Sequence, residues 1–236
     1  MSSILISKIL LTEKENLDAV LTTKGRIYTF LNPVSYLDAR SHSDLFEEFD
    51  GIWADGSLLA SAIKLFYGIN VTRRSFDMTS IAPLLFDYAS KQRKTIYIVA
   101  SRHEDVEHAV DIFRSKNMGM NIIRFRDGYF SSDKEIDDEI ARICRLQPDY
   151  LIVGMGMIRQ EEFLVNVKKA GYHGIGFTCG GFIHQVARGE INYYPAWINR
   201  MNLRFVYRMV REKHTRSRYV RAAVLFPAKF IYDRIF

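Results

Sequence analysis

Three clusters of residues have the types and spacing for chemistry. Asp55 stands between Ala54 and Gly56, after an apolar stretch and before a helical pattern. A carboxylate at a strand end can act as a general base, and it can equally cap the helix that follows. The run Asp149-Tyr150-Leu151-Ile152-Val153 breaks into Gly154-Met155-Gly156 and then Arg159-Gln160-Glu161-Glu162. Glycines two apart let a backbone approach a phosphate-bearing ligand, and a helix N-terminus there attracts its charge. Gln160 is then placed to read a base or ribose edge; the plainer alternative is a tight turn with Gln and Glu on the surface. Arg159 stands where the third glycine of a dinucleotide fingerprint would fall, so that motif is incomplete. The third cluster is Gly180-Gly181 with His184 three residues on. His184 can serve as an acid/base group, donate to a sugar, or be a structural histidine.

A fourth feature is charge. Eight basic and two acidic side chains lie between 205 and 236, a surplus equal to the +6 of the whole chain. Arg208, Arg211, Arg216, Arg218 and Arg221 suit a diphosphate, because guanidinium forks match phosphate oxygens. The same segment carries Tyr219, Val224, Phe226, Phe230 and Phe236, too much apolar surface for a free tail. A basic, aromatic segment fits an anionic membrane surface; packing onto the body or a partner subunit is the alternative. Nucleic acid is disfavoured as a partner. No His, Cys, Asp or Glu cluster has metal-ligand spacing, and Asp137-Asp138 falls inside an acidic helix, so no metal or cofactor is expected.

The elements that must position these residues alternate in type, which predicts an α/β fold with a mostly parallel, Rossmann-like sheet flanked by helices. Strands are expected at 25–31, 51–54, 95–100, 121–125, 150–153 and 173–177. Helices are expected at 34–49, 57–67, 78–91, 104–116, 133–146 and 161–170, with Ser101 and Glu104 forming a capping box. A helical pattern returns at 197–211. The boundary between a body (1–194) and a basic amphipathic appendage (195–236) falls near Tyr194-Pro195. The length of 236 residues suits one domain with an appendage. Cys144 and Cys179 make no disulfide framework, the first residues lack a leader pattern, and no apolar run is long enough to span a bilayer. A cytoplasmic protein, peripheral on the inner face of the membrane, is the expectation.

Taken in order, Asn32-Pro33, Ala54-Asp55-Gly56, Asp77, Gly154-Met155-Gly156 through Gln160-Glu161, Gly180-Gly181-Phe182, Pro195-Ala196-Trp197 and Tyr207-Arg208 resemble the pattern of the WecG/TagA/CpsF family of bacterial glycosyltransferases. The resemblance runs from about residue 25 to 225. It implies an inverting transferase that moves a sugar from a UDP-sugar to a polyprenyl-diphosphate-linked sugar, feeding capsule, exopolysaccharide, O-antigen or teichoic acid. It implies Asp55 as the base that deprotonates the acceptor hydroxyl, Gln160 as a nucleotide contact, and tail arginines over the donor diphosphate. In this reading Asn32 and Asp77 position sugar hydroxyls, and Gly154, Gly156, Gly180, Gly181 and His184 line the donor site. Arg208, Arg216, Arg218 and Arg221 neutralise the leaving group in place of a metal ion. Members of the family assemble, so a homo-oligomer is compatible. The chain departs from the pattern in places: Ile158 replaces a proline, Ser75 a glycine, and Ile183-His184 an Asp-bearing segment. Phe30 holds a position often threonine, with Thr29 beside it. These changes leave the donor open between an N-acetylmannosamine type and a hexose. Two rival classes are a nicotinamide oxidoreductase, for which Lys169-Ala170-Gly171 supplies no ribose-reading acid, and a non-catalytic membrane adaptor.

Overall fold

The structure, a computed structural model, describes residues 4–116, 119–188 and 216–235, together with Ile198, Val206, Tyr207 and Val210. Six parallel strands form one open sheet in the order β2-β1-β6-β5-β3-β4. They are β1 (Ile27–Leu31), β2 (Gly51–Ala54), β3 (Thr95–Ala100), β4 (Asn121–Arg126), β5 (Tyr150–Gly154) and β6 (Ile175–Thr178). The α/β, Rossmann-like expectation therefore holds.

Side-chain alternation explains the two-faced burial. Ile27, Leu31, Ile52, Ala54, Tyr97, Val99, Leu151 and Val153 point into one core, and Tyr28, Trp53, Ile96, Ile98, Tyr150, Ile152 and Phe177 into the other. The first core is covered by α1 (Ile4–Thr12), α3 (Pro33–Ala39), α4 (Ser43–Glu47), α5 (Ser57–Tyr67), α8 (Asp133–Leu146), α9 (Arg159–Lys169) and the C-terminal helix (Arg216–Ile235). The second lies under α2 (Leu17–Thr22), α6 (Ile81–Lys91), α7 (His103–Ser115) and α10 (Phe182–Ala187).

Several local expectations need correction. The helix expected over 34–49 is three pieces, α3, a 3-10 turn Arg40–His42 and α4. The helix expected from residue 78 starts at Ile81, leaving Pro83 in its first turn. Ser101 does not cap α7: it sits at φ +59°, Arg102 takes the cap position, and the Ser101 hydroxyl donates to Asp105 instead. The N-terminal segment forms α1, whose Leu5, Ile6 and Ile9 are buried. Thr12 at its end accepts the Ile52 N–H of edge strand β2 at 2.9 Å, which satisfies a donor the sheet leaves open.

The C-terminal helix packs onto the body. Phe230 is fully buried among Tyr36, Phe66 and Tyr67, and Phe226 packs edge-on to Tyr36. Arg40 and the Tyr36 hydroxyl both bond Asp233, at 2.6 and 2.7 Å. The opposite side shows Val220, Val224, Ile231 and Ile235 to solvent beside Arg216, Arg218 and Arg221. Packing and an exposed basic, apolar face thus coexist. The expected 195 boundary, Arg208, Arg211 and most of 197–211 lie outside the described residues.

Candidate active site

Parallel strands bring their carboxyl ends to one edge of the sheet. From β2 across to β4 that edge carries Asp55, Asn32, Cys179 to Gly181, Gly154 to Gly156, Ser101 and Asp127. Asp55 and the β6 turn are two strand spacings apart, about 10 Å. The direction of the chain's progress reverses between β5, which continues to β6, and β3, which continues to β4. Crevices of this kind are where open α/β sheets bind ligands. Here Ser101 N–H donates to Gly154 O at 2.9 Å, and Gly128 N–H to Ser101 O at 2.9 Å.

At the β2 end, α5 begins at Ser57 behind Gly56, which has φ +100° and no side-chain cap bond. Gly56, not Asp55, takes the N-cap position of α5. The Asp55 carboxylate takes Arg73 Nη2 at 3.4 Å, and the same nitrogen reaches Ser75 Oγ at 2.6 Å and Asp77 Oδ2 at 3.3 Å. Asp77 also accepts from the Ser75 hydroxyl at 2.7 Å and from the N–H and hydroxyl of Thr79. One guanidinium thus joins two partly buried carboxylates, and Asp77 braces the loop that presents Arg73. Asn32 accepts from Val34 and Ser35 N–H and caps α3. Arg73 was not singled out in the sequence; its position two residues before Ser75 and four before Asp77 is the only trace of its role there.

The glycine turns meet closely. A side chain at Gly154 would stand 2.7 Å from Cys179 Sγ and 2.8 Å from Gly180 O, so only glycine lets β5 approach the β6 turn. Gly156 at φ +84° and Gly180 at φ +54° adopt the left-handed region, and Gly156, Gly180 and Gly181 are exposed. Burial pushes the Cys179 thiol up to about 12, so it stays a thiol at neutral pH and is no nucleophile.

Gln160 and Glu161 are buried, which overturns the alternative that placed them on the surface, and both ends of the Gln160 amide are engaged inside the protein, not turned outward to read a base or ribose edge. Gln160 Nε2 donates to Glu161 Oε1 at 2.7 Å, while Gln160 Oε1 accepts the Gly180 N–H at 3.2 Å. Its amide therefore links the two glycine turns. Glu161 further accepts the Thr29 hydroxyl at 3.0 Å and the Ile158 N–H at 2.7 Å. Burial pushes its carboxyl up to about 7 despite those bonds. Thr29 lies 2.8 Å from the Thr178 hydroxyl, beneath the site and fully buried.

His184 Nδ1 lies 2.8 Å from Asp105 Oδ2. His184 is at the start of α10 and Asp105 in the first turn of α7, so both face the strand-end edge. The Asp105 carboxyl is pushed up by burial, and bonds from His184 and Ser101 outweigh this and leave it below its usual range. Among the described residues no group of three His, Cys, Asp or Glu side chains could hold a metal ion. Arg216 and Arg218 are exposed at the start of the C-terminal helix; Arg216 donates to Val210 O, and Arg218 pairs with Asp38 at 3.7 Å. Arg221, one turn on, is also exposed.

The profile of the Glycosyl transferase WecG/TagA/CpsF family matches residues 6–236. The chain belongs to this family. It is 34% identical over 209 residues, 89% of this chain and 87% of the relative, to a UDP-Gal:alpha-D-GlcNAc-diphosphoundecaprenol beta-1,4-galactosyltransferase of Shigella boydii. It is 26% identical over 126 residues to an N-acetylglucosaminyldiphosphoundecaprenol N-acetyl-beta-D-mannosaminyltransferase of Bacillus subtilis, matching 53% of this chain and 48% of that one. A Staphylococcus aureus protein of the latter name is 23% identical over 52% of this chain and 47% of its own length. The chain spans about half the length of these two mannosaminyltransferases. As a member of the WecG/TagA/CpsF family the chain is a glycosyltransferase, and the oxidoreductase and adaptor readings receive no support. Among the described residues no helix is long and apolar enough to cross a membrane.

Proposed function

We propose that this glycosyltransferase moves a hexosyl group from a UDP-hexose to an N-acetylglucosamine carried on a polyprenyl diphosphate. The observation that carries this reading is the strand-end edge: a carboxylate at the β2 end, held by Arg73, lies on the same edge as two open glycine turns. The likeness to the galactosyltransferase over 87% of its length favours a hexose over an N-acetylhexosamine.

The chemistry follows from that placement. Asp55 takes the proton of the acceptor hydroxyl as its oxygen attacks the anomeric carbon. A new carbon–oxygen bond forms on one face while the bond to the diphosphate oxygen breaks on the other. UDP leaves with the electron pair and the anomeric configuration inverts. Arg73 orients Asp55 through their contact, and Asn32 and Asp77 stand where sugar hydroxyls would be read. The turns at Gly154–Gly156 and Gly180–Gly181, with His184, hold the donor, and Gln160 supports those turns from below. Arg208, Arg216, Arg218 and Arg221 offset the charge on the departing diphosphate.

The basic, apolar face of the C-terminal helix rests on the inner surface of the membrane and brings residues 195–236, as an appendage to the 1–194 body, over the acceptor lipid. Exposed apolar side chains beside three arginines support this placement. The reading extends to a homo-oligomer at that surface.

The test is a donor screen. Purified protein is given UDP-galactose, UDP-glucose, UDP-N-acetylglucosamine and UDP-N-acetylmannosamine with lipid-diphosphate-linked N-acetylglucosamine, and UDP release and product mass are read. Transfer from a UDP-hexose that Asp55→Ala abolishes is the expected outcome. Transfer that survives Asp55→Ala removes the base assignment.

A further inference from the structure

Ile158 is the strained residue of the candidate site. It sits at φ +72° and ψ −54°, a conformation that costs a β-branched side chain heavily. It follows exposed Gly156, itself at φ +84°, and opens α9. A strained turn persists only where its surroundings hold it. The Ile158 N–H is held by Glu161 Oε2 at 2.7 Å. The other oxygen of the same carboxylate takes Gln160 Nε2 and the Thr29 hydroxyl. Gln160 in turn holds the Gly180 N–H.

One buried carboxyl therefore spans β1, the β5 turn and, through Gln160, the β6 turn. A glutamate that merely filled the core would be a poor choice, because burying it is costly. Its cost is offset only by bonds that use both oxygens at once. We propose that Glu161 is a positioning residue for the donor: its buried carboxylate fixes the Gly156–Ile158 turn and, through Gln160, the Gly180 amide at the separation the nucleotide requires. This rests on the reading that those turns bind a UDP-sugar. It deepens that reading by naming what sets their geometry.

Glu161→Gln discriminates the idea. A carboxylate accepts on both oxygens, whereas an amide accepts on one. The variant must release either the Ile158 N–H or the Gln160 amide, so one turn is freed while the shape of the core is kept. Thr29→Val is the control. It removes a donor to the same carboxylate and the bond to Thr178 at the end of β6, but contacts neither Ile158 nor Gly180 directly.

The measurement is calorimetric titration of UDP, with melting temperature and initial rates on the same preparations. Glu161→Gln is expected to weaken UDP binding about tenfold and to raise the donor KM by a similar factor, with kcat within about threefold of wild type. Thr29→Val is expected to lower the melting temperature without moving either constant. Unchanged UDP affinity in Glu161→Gln, or equal weakening in both variants, overturns the proposal and leaves the donor reading standing. Wild type that does not bind UDP removes the donor reading, and this proposal with it. Where Glu161→Gln does not fold, Glu161→Asp replaces it: the shorter carboxylate cannot reach both sides, and unchanged UDP affinity there overturns the proposal equally.

Discussion

Asp105 Oδ2 accepts from two side chains at once, His184 Nδ1 at 2.8 Å and Ser101 Oγ at 2.9 Å. A carboxylate at Nδ1 selects the tautomer with hydrogen on that nitrogen and leaves Nε2 to accept. Asp105→Asn keeps the shape but can present either a donor or an acceptor to the ring, so the ring orientation is lost. The expected result is a fall of about tenfold in kcat/KM for the donor, measured by UDP release. The carboxyl lies below its usual range, so its contribution to stability is present above the ordinary carboxylate pKa and is lost as pH falls through its own lowered value. The gap in melting temperature between wild type and the variant is therefore expected to shrink between pH 7 and pH 3.

Glu161 carries the opposite sign. Its partners are Gln160, Thr29 and the Ile158 N–H, none of them charged, and burial pushes its carboxyl up to about 7 from the ordinary 4.5. A raised carboxyl favours the folded state fully below the unfolded pKa and loses that preference as pH rises through about 7. Wild type is expected to lose about 2–3 kcal/mol of stability between pH 5 and pH 8 through this group. Glu161→Gln lacks that slope. Urea melts at the two pH values measure it, and parallel pH dependences in wild type and variant would contradict the assignment.

Gly154→Ala places a methyl 2.7 Å from Cys179 Sγ and 2.8 Å from the Gly180 carbonyl. The backbone oxygen cannot swing away, so the β6 turn must move. A loss of about 1–3 kcal/mol is expected, with the melting temperature falling by roughly 2–4 °C per kcal/mol. Gly156→Ala meets no atom within 4 Å, and its cost comes only from φ +84°. It is expected to be the milder of the two, by about 1 kcal/mol.

The C-terminal helix separates its two jobs by face. Phe230→Ala empties a fully buried site and is expected to cost about 3–5 kcal/mol. Arg216, Arg218 and Arg221 are exposed, and replacing all three by glutamine is expected to leave the melting temperature within a degree or two. At about 1 kcal/mol per arginine, that triple variant should bind anionic vesicles about a hundredfold more weakly. Sedimentation with vesicles containing phosphatidylglycerol reads this, and equal binding would make the body, not this helix, the membrane contact.

Much of this architecture was legible locally. The strands carry unbroken apolar runs such as Tyr97 to Ala100 and Leu151 to Val153, because each is buried on both sheet faces. The order of Asp55, the two glycine turns and the basic tail already indicated the family. Local patterns failed where long-range contacts competed. Ser101 looks like a cap, but the β3 turn bends it to φ +59° and its hydroxyl goes to Asp105. Glu161 looks like a surface helix residue because its charge carries no sign that partners 132 residues away in sequence will bury it.

The sequence by itself determined the parallel α/β class, the family, the glycines at the strand ends and the concentration of charge after residue 205. These depend on residue type and period, which are local properties. Only the tertiary structure decided that Arg73 bridges Asp55 and Asp77, that Asp105 holds His184, and that Glu161 joins Thr29 to the strained turn at Ile158. Each is a hydrogen bond or ion pair whose geometry is set by loop conformation or by packing between elements far apart in the chain. No local period encodes such a pairing.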